Sequence, residues 1–234
     1  MSFMNIPENE TDRFMKAANY DLLGEYRQAV SYADFAQNAI VLDVGTGSGR
    51  MATVLTLTGY TVLSGDIDPG ALERAHAKLL ESGATGTILF TLNAESMPFD
   101  DGSFNAVVCA NAIHEMSNPK KVLEEMSRVC SKQGTLLVLE FSRLGFDMIA
   151  SAHKIQNRGS HSEGLLDEVG IDEFLKAHFE QVRKYPLELN NVWVARKNIG
   201  MRPEELTVGT VGSDKRIAKE DAANLLEETM SPSK

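Results

Sequence analysis

Gly45, Gly47 and Gly49 alternate directly after the apolar run Val41-Leu42-Asp43-Val44, and Met51, Val54 and Leu55 follow at helical spacing. Strand, glycine turn and helix therefore come in that order. Glycine adopts positive φ cheaply and lets a ligand come close to the backbone. A helix N-terminus adds free N–H groups and a partial positive charge, which suit carboxylates and hydroxyl oxygens. A dinucleotide turn spaces its glycines G-x-G-x-x-G, the third packing helix on strand. Here Arg50 stands at that third position and the glycine falls one residue early.

A second acid lies where such a turn can use it. Thr61 to Gly65 reads as a strand ending at Asp66, and a carboxylate there accepts two hydrogen bonds from a ribose diol. Capping of the next helix is the other role open to Asp66, but Asp68-Pro69 already supplies a cap and a first-turn proline. After the apolar run Ala106–Ala110 comes His114, at the strand edge where open α/β sheets hold ligands. An imidazole there can take a proton or hold an acceptor, or it can simply pack against the helix that starts near Asn118. His153 and His161 compete for the same role, and Glu115 reads as solvated.

Gly45-x-Gly47-x-Gly49, with Asp43 two residues ahead, resembles motif I of the class I S-adenosylmethionine-dependent methyltransferases. Asp66, the loop Asn93-Ala94-Glu95-Ser96-Met97-Pro98-Phe99 and the stretch from Pro119 to Glu140 extend the likeness, which is nearest to the ubiquinone/menaquinone-biosynthesis type and covers about residues 11–197. The resemblance implies S-adenosyl-L-methionine as cofactor and in-line methyl transfer to a small-molecule acceptor. It assigns cofactor contacts to Tyr20, Asp43, Gly45, Thr46, Gly47, Gly49, Asp66, Ile67, Asn93, Ala94, Glu95 and Asn111, and makes His114 the catalytic candidate. Tyr20-Asp21 matches a pair carried by an N-terminal helical lid. Three departures stand out. Asn93 replaces the usual acid, Gln133 replaces proline in the Lys132-Gln133-Gly134 turn, and Cys109-Ala110-Asn111-Ala112 stands where amide- and amine-methylating relatives carry Asn-Pro-Pro-aromatic. Two rivals share the strand-turn-helix: an NAD(P)-dependent oxidoreductase, and a cofactor-binding module that has lost catalysis.

The elements that must position these residues are legible in outline. Strands alternate with helices from about residue 40 to 140, which specifies an α/β fold with a doubly wound, mostly parallel sheet. The resemblance makes that sheet seven-stranded and Rossmann-like. Residues 1–37 read as the helical lid, opening on a Thr11/Asp12 cap and interrupted near Gly24. Residues 38–197 form the methyltransferase domain, and 198–234 a C-terminal extension open to packing on the lid or to a homodimer contact. Gly134 is expected to stop the helix before strand five, and Gly170 to split two short helices. Residues 141–162 follow no readable pattern.

Composition bounds the partners. A net charge of −10 over 234 residues speaks against a nucleic-acid backbone, which clustered Lys and Arg would have to neutralise. Cys109 and Cys130 read as buried free thiols, and no metal site is expected. No apolar run nears the roughly 20 residues of a membrane helix, so no membrane partner is expected and a cytoplasmic setting is the default.

Overall fold

The computed structural model describes residues 6–157 and 164–197. Strands β1 (Ile40–Val44), β2 (Thr61–Asp66), β3 (Thr87–Thr91), β4 (Phe104–Ala110) and β5 (Cys130–Phe141) run parallel. β7 (Asn190–Arg196) pairs antiparallel with β5, and β6 (Gln181–Pro186) antiparallel with β7. The order across the sheet is β3-β2-β1-β4-β5-β7-β6, which reverses between β1 and β4. At such a reversal the connections leave in opposite directions and open a crevice at the strands' carboxyl ends.

The period-two alternation of strand residues divides the interior into two cores. On one face Val41, Val108, Leu137 and Val192 pack with α2 (Leu22–Ala33) and α3 (Arg50–Leu57). On the other, Leu42, Leu63, Val107 and Trp193 pack with α5 (Pro119–Val129) and α7 (Glu168–His178). The remaining helices are α1 (Glu10–Ala17), α4 (Pro69–Ser82) and α6 (Arg143–Ile155). The first core also takes Met15, Leu22, Tyr26, Ala29 and Ala33, all buried, so α2 is an integral wall of the fold. Removing residues 1–30 would strip most of that wall away, so the sheet would lose its cover on this face.

Several local expectations are corrected. The N-terminal helix breaks at residues 18–21, where Asn19 has a φ of 66°, and not at Gly24. Gly24 lies inside α2, and its N–H donates to the Asp21 carboxylate at 2.8 Å. The first cap is a reciprocal box between Asn9 and Asp12. Strand β5 starts at Cys130, directly after α5, and carries Gly134 within it. Residues 143–155 form one helix, and α7 continues through Gly170, whose N–H is capped by Asp167. In both glycine cases a carboxylate three residues upstream holds the N–H inside the first turn, which offsets glycine's weak helix propensity. Arg158, His161 and the whole of 198–234 lie outside the described residues.

Candidate functional site

Gly45 and Thr46 donate their N–H groups to the carbonyl of Gly65 at 2.9 and 3.0 Å, which ties the turn after β1 to the end of β2. The Gly47 N–H then meets the Asp66 carboxylate at 2.8 Å, and the other Asp66 oxygen accepts from the Asp68 N–H at 3.0 Å. Asp66 is thus fixed by backbone while Asp68 caps α4, so the two acids divide the tasks as their spacing suggests. Each carboxylate oxygen has a second lone pair, so Asp66 keeps acceptor capacity toward the crevice.

Two glycines of the turn serve different ends. Gly49 has a φ of 77°, and a β-carbon there would lie 2.8 Å from Ala75 Cα, so its bareness lets α3 pack on α4. Gly47 has a φ of 54°, yet a β-carbon would meet nothing nearer than the Gly45 carbonyl oxygen at 4.0 Å. The bare face of Gly47 opens on space and not on protein.

Beneath the turn lies Asp43, 1% exposed. One of its oxygens accepts from Ser64 Oγ at 2.6 Å, Ser64 Oγ is 2.6 Å from Thr46 Oγ1, and the other Asp43 oxygen has no partner. Burial, and secondarily the charge of Asp66, push its carboxyl up to about 7, although the Ser64 hydrogen bond works the other way. Beside Asp66 the side chain of Ile67 is 67% exposed, an apolar surface at the crevice rim. Beyond β3, Asn93 Oδ1 accepts from the Glu95 N–H at 3.0 Å in a local turn, and a Glu95 oxygen accepts from the Asn118 N–H at 3.0 Å. Ala94 packs against the second core. Arg128 and Glu125 of α5 hold this loop from below, through the Met97 and Phe99 carbonyls and the Met97 N–H.

At the β4 end, Asn111 has a φ of 49° and donates through Nδ2 to Tyr26 Oη at 3.1 Å. His114 sits on a short 3₁₀ turn, Ile113–Glu115, and is 3% exposed. Its Nδ1 lies 2.7 Å from Glu140 Oε1, while Nε2 is 3.8 Å from a Glu115 oxygen. Glu140 also accepts from the His114 and Phe141 backbone N–H groups at 3.2 and 2.9 Å. Three donors converge on one carboxylate, so the proton between the pair belongs on Nδ1. Phe146 of α6 covers the ring edge-on at 5.2 Å, and Phe141 lies 5.7 Å away. His153 is in the last turn of α6.

The N-terminal pair stays together. Tyr20 and Asp21 both line a cleft of about 450 Å³ with Asp12, Leu23 and Arg27, and Asp21 also caps α2. A buried charge cluster joins α1 to the turn: Asp12 takes Arg50 Nε at 2.6 Å and faces Lys78 Nζ at 3.7 Å. Arg50 also donates to Asn9 Oδ1 at 3.1 Å.

Sequence reasoning missed three of these groups. Glu140 was read only as a strand end, although an acid closing the otherwise apolar Leu136–Leu139 is a visible signal. Tyr26 gives no local signal of its partner Asn111, 85 residues away. Arg50 was weighed only against a third glycine, and nothing local announces a partner 38 residues away.

A family model described as a methyltransferase domain matches residues 42–138. The chain is 28% identical over 223 residues to the ubiquinone/menaquinone biosynthesis C-methyltransferase of Pseudoalteromonas translucida, covering 89% of this chain and 82% of that protein. It is 31% identical over 169 residues to the protein of the same name from Haemophilus ducreyi, where the match covers 66% of this chain and 63% of the relative. A SAM-dependent methyltransferase structure from Aquifex aeolicus superposes with a TM-score of 0.59 at 19% identity, covering 80% of this chain and 98% of that one, which supports the fold. The seven-stranded sheet and the glycine turn closed by an acid from β2 give the chain the fold of the class I S-adenosylmethionine-dependent methyltransferases, and the domain match and the relatives support the same activity, methyl transfer to a small-molecule acceptor.

Proposed function

We propose that the crevice at the carboxyl ends of β1, β2 and β3 is the cofactor site, and that the acceptor meets it from the β4–β5 side. The observation that carries this reading is the open face of Gly47 beside a fixed Asp66 carboxylate. Asp66 takes the ribose hydroxyls with its remaining lone pairs. Ile67 lies under one face of the adenine, and Asn93, Ala94 and Glu95 border its edge. Gly45, Thr46, Gly47 and Gly49 receive the methionyl side with their backbone, with Asp43 beneath and Asn111 beside it. Tyr20, with α1 and the 18–21 turn, covers the site, and the Arg50–Asp12 pair keeps that cover docked.

When bound, the cofactor supplies a sulfonium methyl with a neutral sulfide as leaving group, so this chain's residues need mainly to align the acceptor and exclude water. The relatives' printed names support carbon methylation of a small ring compound of the quinone-precursor kind. A ring carbon becomes nucleophilic once a neighbouring hydroxyl gives up its proton, and His114 is the group we assign to take it. Glu140 holds Nδ1–H, which directs the proton-accepting role to Nε2. A cytoplasmic setting fits two buried free thiols and, among the described residues, no helix long and apolar enough to cross a membrane. The net charge of −10 supports an acceptor other than nucleic acid.

Calorimetry tests the cofactor reading directly. The protein should bind S-adenosylmethionine and S-adenosylhomocysteine at one site and NADH not at all. Asp66→Ala should weaken both by about 1.5–3 kcal/mol, the range for hydrogen bonds involving a charged group. Unchanged affinity in a folded Asp66→Ala protein, or preferential binding of NADH, would overturn the assignment.

A further inference from the structure

The loop after β3 is pinned at both ends and presents its middle. Leu92 and Met97 are buried, while Asn93, Ala94, Glu95 and Ser96 between them reach the surface. Upstream, the Leu92 N–H donates to the Asp66 carbonyl at 3.0 Å, so the loop starts from the acid that ends β2. Downstream, the Met97 N–H donates to Glu125 Oε2 at 2.8 Å. The same carboxylate takes Arg128 Nε and Nη2, each at 2.8 Å, in a two-pronged pair. The rest of the guanidinium holds the Phe99 carbonyl at 2.6 Å, the Met97 carbonyl at 3.0 Å and Asp101 at 2.9 Å. All five of its N–H groups are engaged within this clamp.

Holding the loop on the core does not require so much. Met97 and Phe99 already sink into the second core, and Phe99 meets Phe90 and Phe104 edge-on at 6.0 and 4.9 Å. An ion pair with a buried member adds little net stability, because desolvation offsets the attraction; what it can set is geometry. Six directed hydrogen bonds here fix where the chain leaves the loop. The Glu125 carboxyl is drawn down to about 2, chiefly by its Arg128 hydrogen bonds, so the clamp is charged at any ordinary pH. Just ahead of Met97 stand Asn93 and Glu95, whose oxygens the cofactor reading places at the edge of the adenine.

We propose that Glu125 and Arg128 form one positioning clamp for base recognition, setting residues 93–96 so that their oxygens select a purine with a 6-amino group. The inference rests on the cofactor reading above. Both residues act through the loop and not on the ligand, so helix α5 becomes part of what tells one base from another.

Two ligands and four variants test it by calorimetry. S-adenosylhomocysteine and S-inosylhomocysteine differ in the base, a 6-amino group in one and a 6-oxo group in the other. The wild-type protein should prefer the adenine compound roughly tenfold or more, because an oxo group would face the loop's oxygens without a proton to share. Glu125→Gln keeps the shape but cannot accept both Arg128 prongs, and its preference should fall to within about threefold through weaker binding of the adenine compound. Arg128→Lys keeps the charge but not the fork and should do the same. The double variant should be no worse than either single one, since the two residues act as a unit. Val122→Ala thins the buried face of the same helix away from the clamp, so it should melt lower yet keep the preference. Clamp variants that keep the tenfold preference, additive losses in the double variant, or a Val122→Ala protein that loses the preference too would each overturn the inference. A wild-type protein that binds both ligands equally also overturns it, while leaving the cofactor site in place. One that binds neither refutes the cofactor reading itself, and both fall together.

Discussion

At the β1–β2 end of the carboxyl edge, backbone makes the proposed site: N–H groups of a glycine turn, the Gly65 carbonyl, and one carboxylate pinned by two amides. At the β4–β5 end, side chains make it: the His114 ring clamped by Glu140 and roofed by Phe146, and Asn111 held by a tyrosine from α2. In the first region the face of Gly47 is open, a β-carbon there meeting nothing nearer than the Gly45 carbonyl oxygen at 4.0 Å. The second is closed, with His114 only 3% exposed, and something must move before an acceptor can touch that ring. A ligand shared by every relative can be met by backbone, which changes little with sequence. An acceptor particular to one enzyme has to be met by side chains.

The largest effect should come from the closed end. His114→Ala should lower turnover about a hundredfold or more, the scale of general acid–base catalysis, with S-adenosylmethionine affinity unchanged by calorimetry. Glu140→Gln should show the same split to a lesser degree, because an amide cannot accept from all three donors that now meet the carboxylate. Turnover within a few-fold of the parent in both variants would make the pair a packing device and leave no proton acceptor at this edge.

The contrast also explains what was readable. The glycine turn, Asp66 and the capping Asp68 lie in short segments whose chemistry is local, so spacing alone reveals them. The sheet followed from alternating strands and helices for the same reason. Glu140 and His114 are 26 residues apart and meet only because β4 and β5 are neighbours. Asn111 and Tyr26 are 85 apart. No spacing rule joins such pairs. Within the unreadable stretch after β5, residues 143–155 form one helix because Ser142 caps it, its side chain accepting from Gly145, and Ile149 packs into the first core while Ala152 is buried.

Within the open end, the two glycines sharpen the comparison. Gly49→Val should destabilise the protein by about 3 kcal/mol or more, combining left-handed strain with a clash against the α4 backbone, and urea unfolding would measure it. Gly47→Ala should cost only about 1–2 kcal/mol, strain without a clash, yet abolish cofactor binding. If Gly47→Ala bound the cofactor normally, the open face would be surface and not site.

The smallest effect lies under the turn, at Asp43. Its carboxyl titrates near 7 in the folded protein against an ordinary value of 3.8, chiefly because it is buried. Between those values the folded state holds a proton that the unfolded state has released, so stability falls as pH rises through the window and levels off above it. From pH 6 to pH 8 the unliganded protein should lose about 1.4 kcal/mol on this account, one pKa unit's worth. Asp43→Asn, measured by urea unfolding at both values, should remove that loss. A bound cation would favour the carboxylate, so saturation with S-adenosylmethionine should also flatten the slope in the wild-type protein and release a proton on binding. That release is countable by calorimetry in buffers of different ionisation enthalpy. An unliganded slope that Asp43→Asn leaves unchanged would mean that the carboxyl is already ionised, stabilised by Ser64 more than burial opposes it. The turn would then be a charged cradle before any ligand arrives, and not one whose charge the ligand brings out.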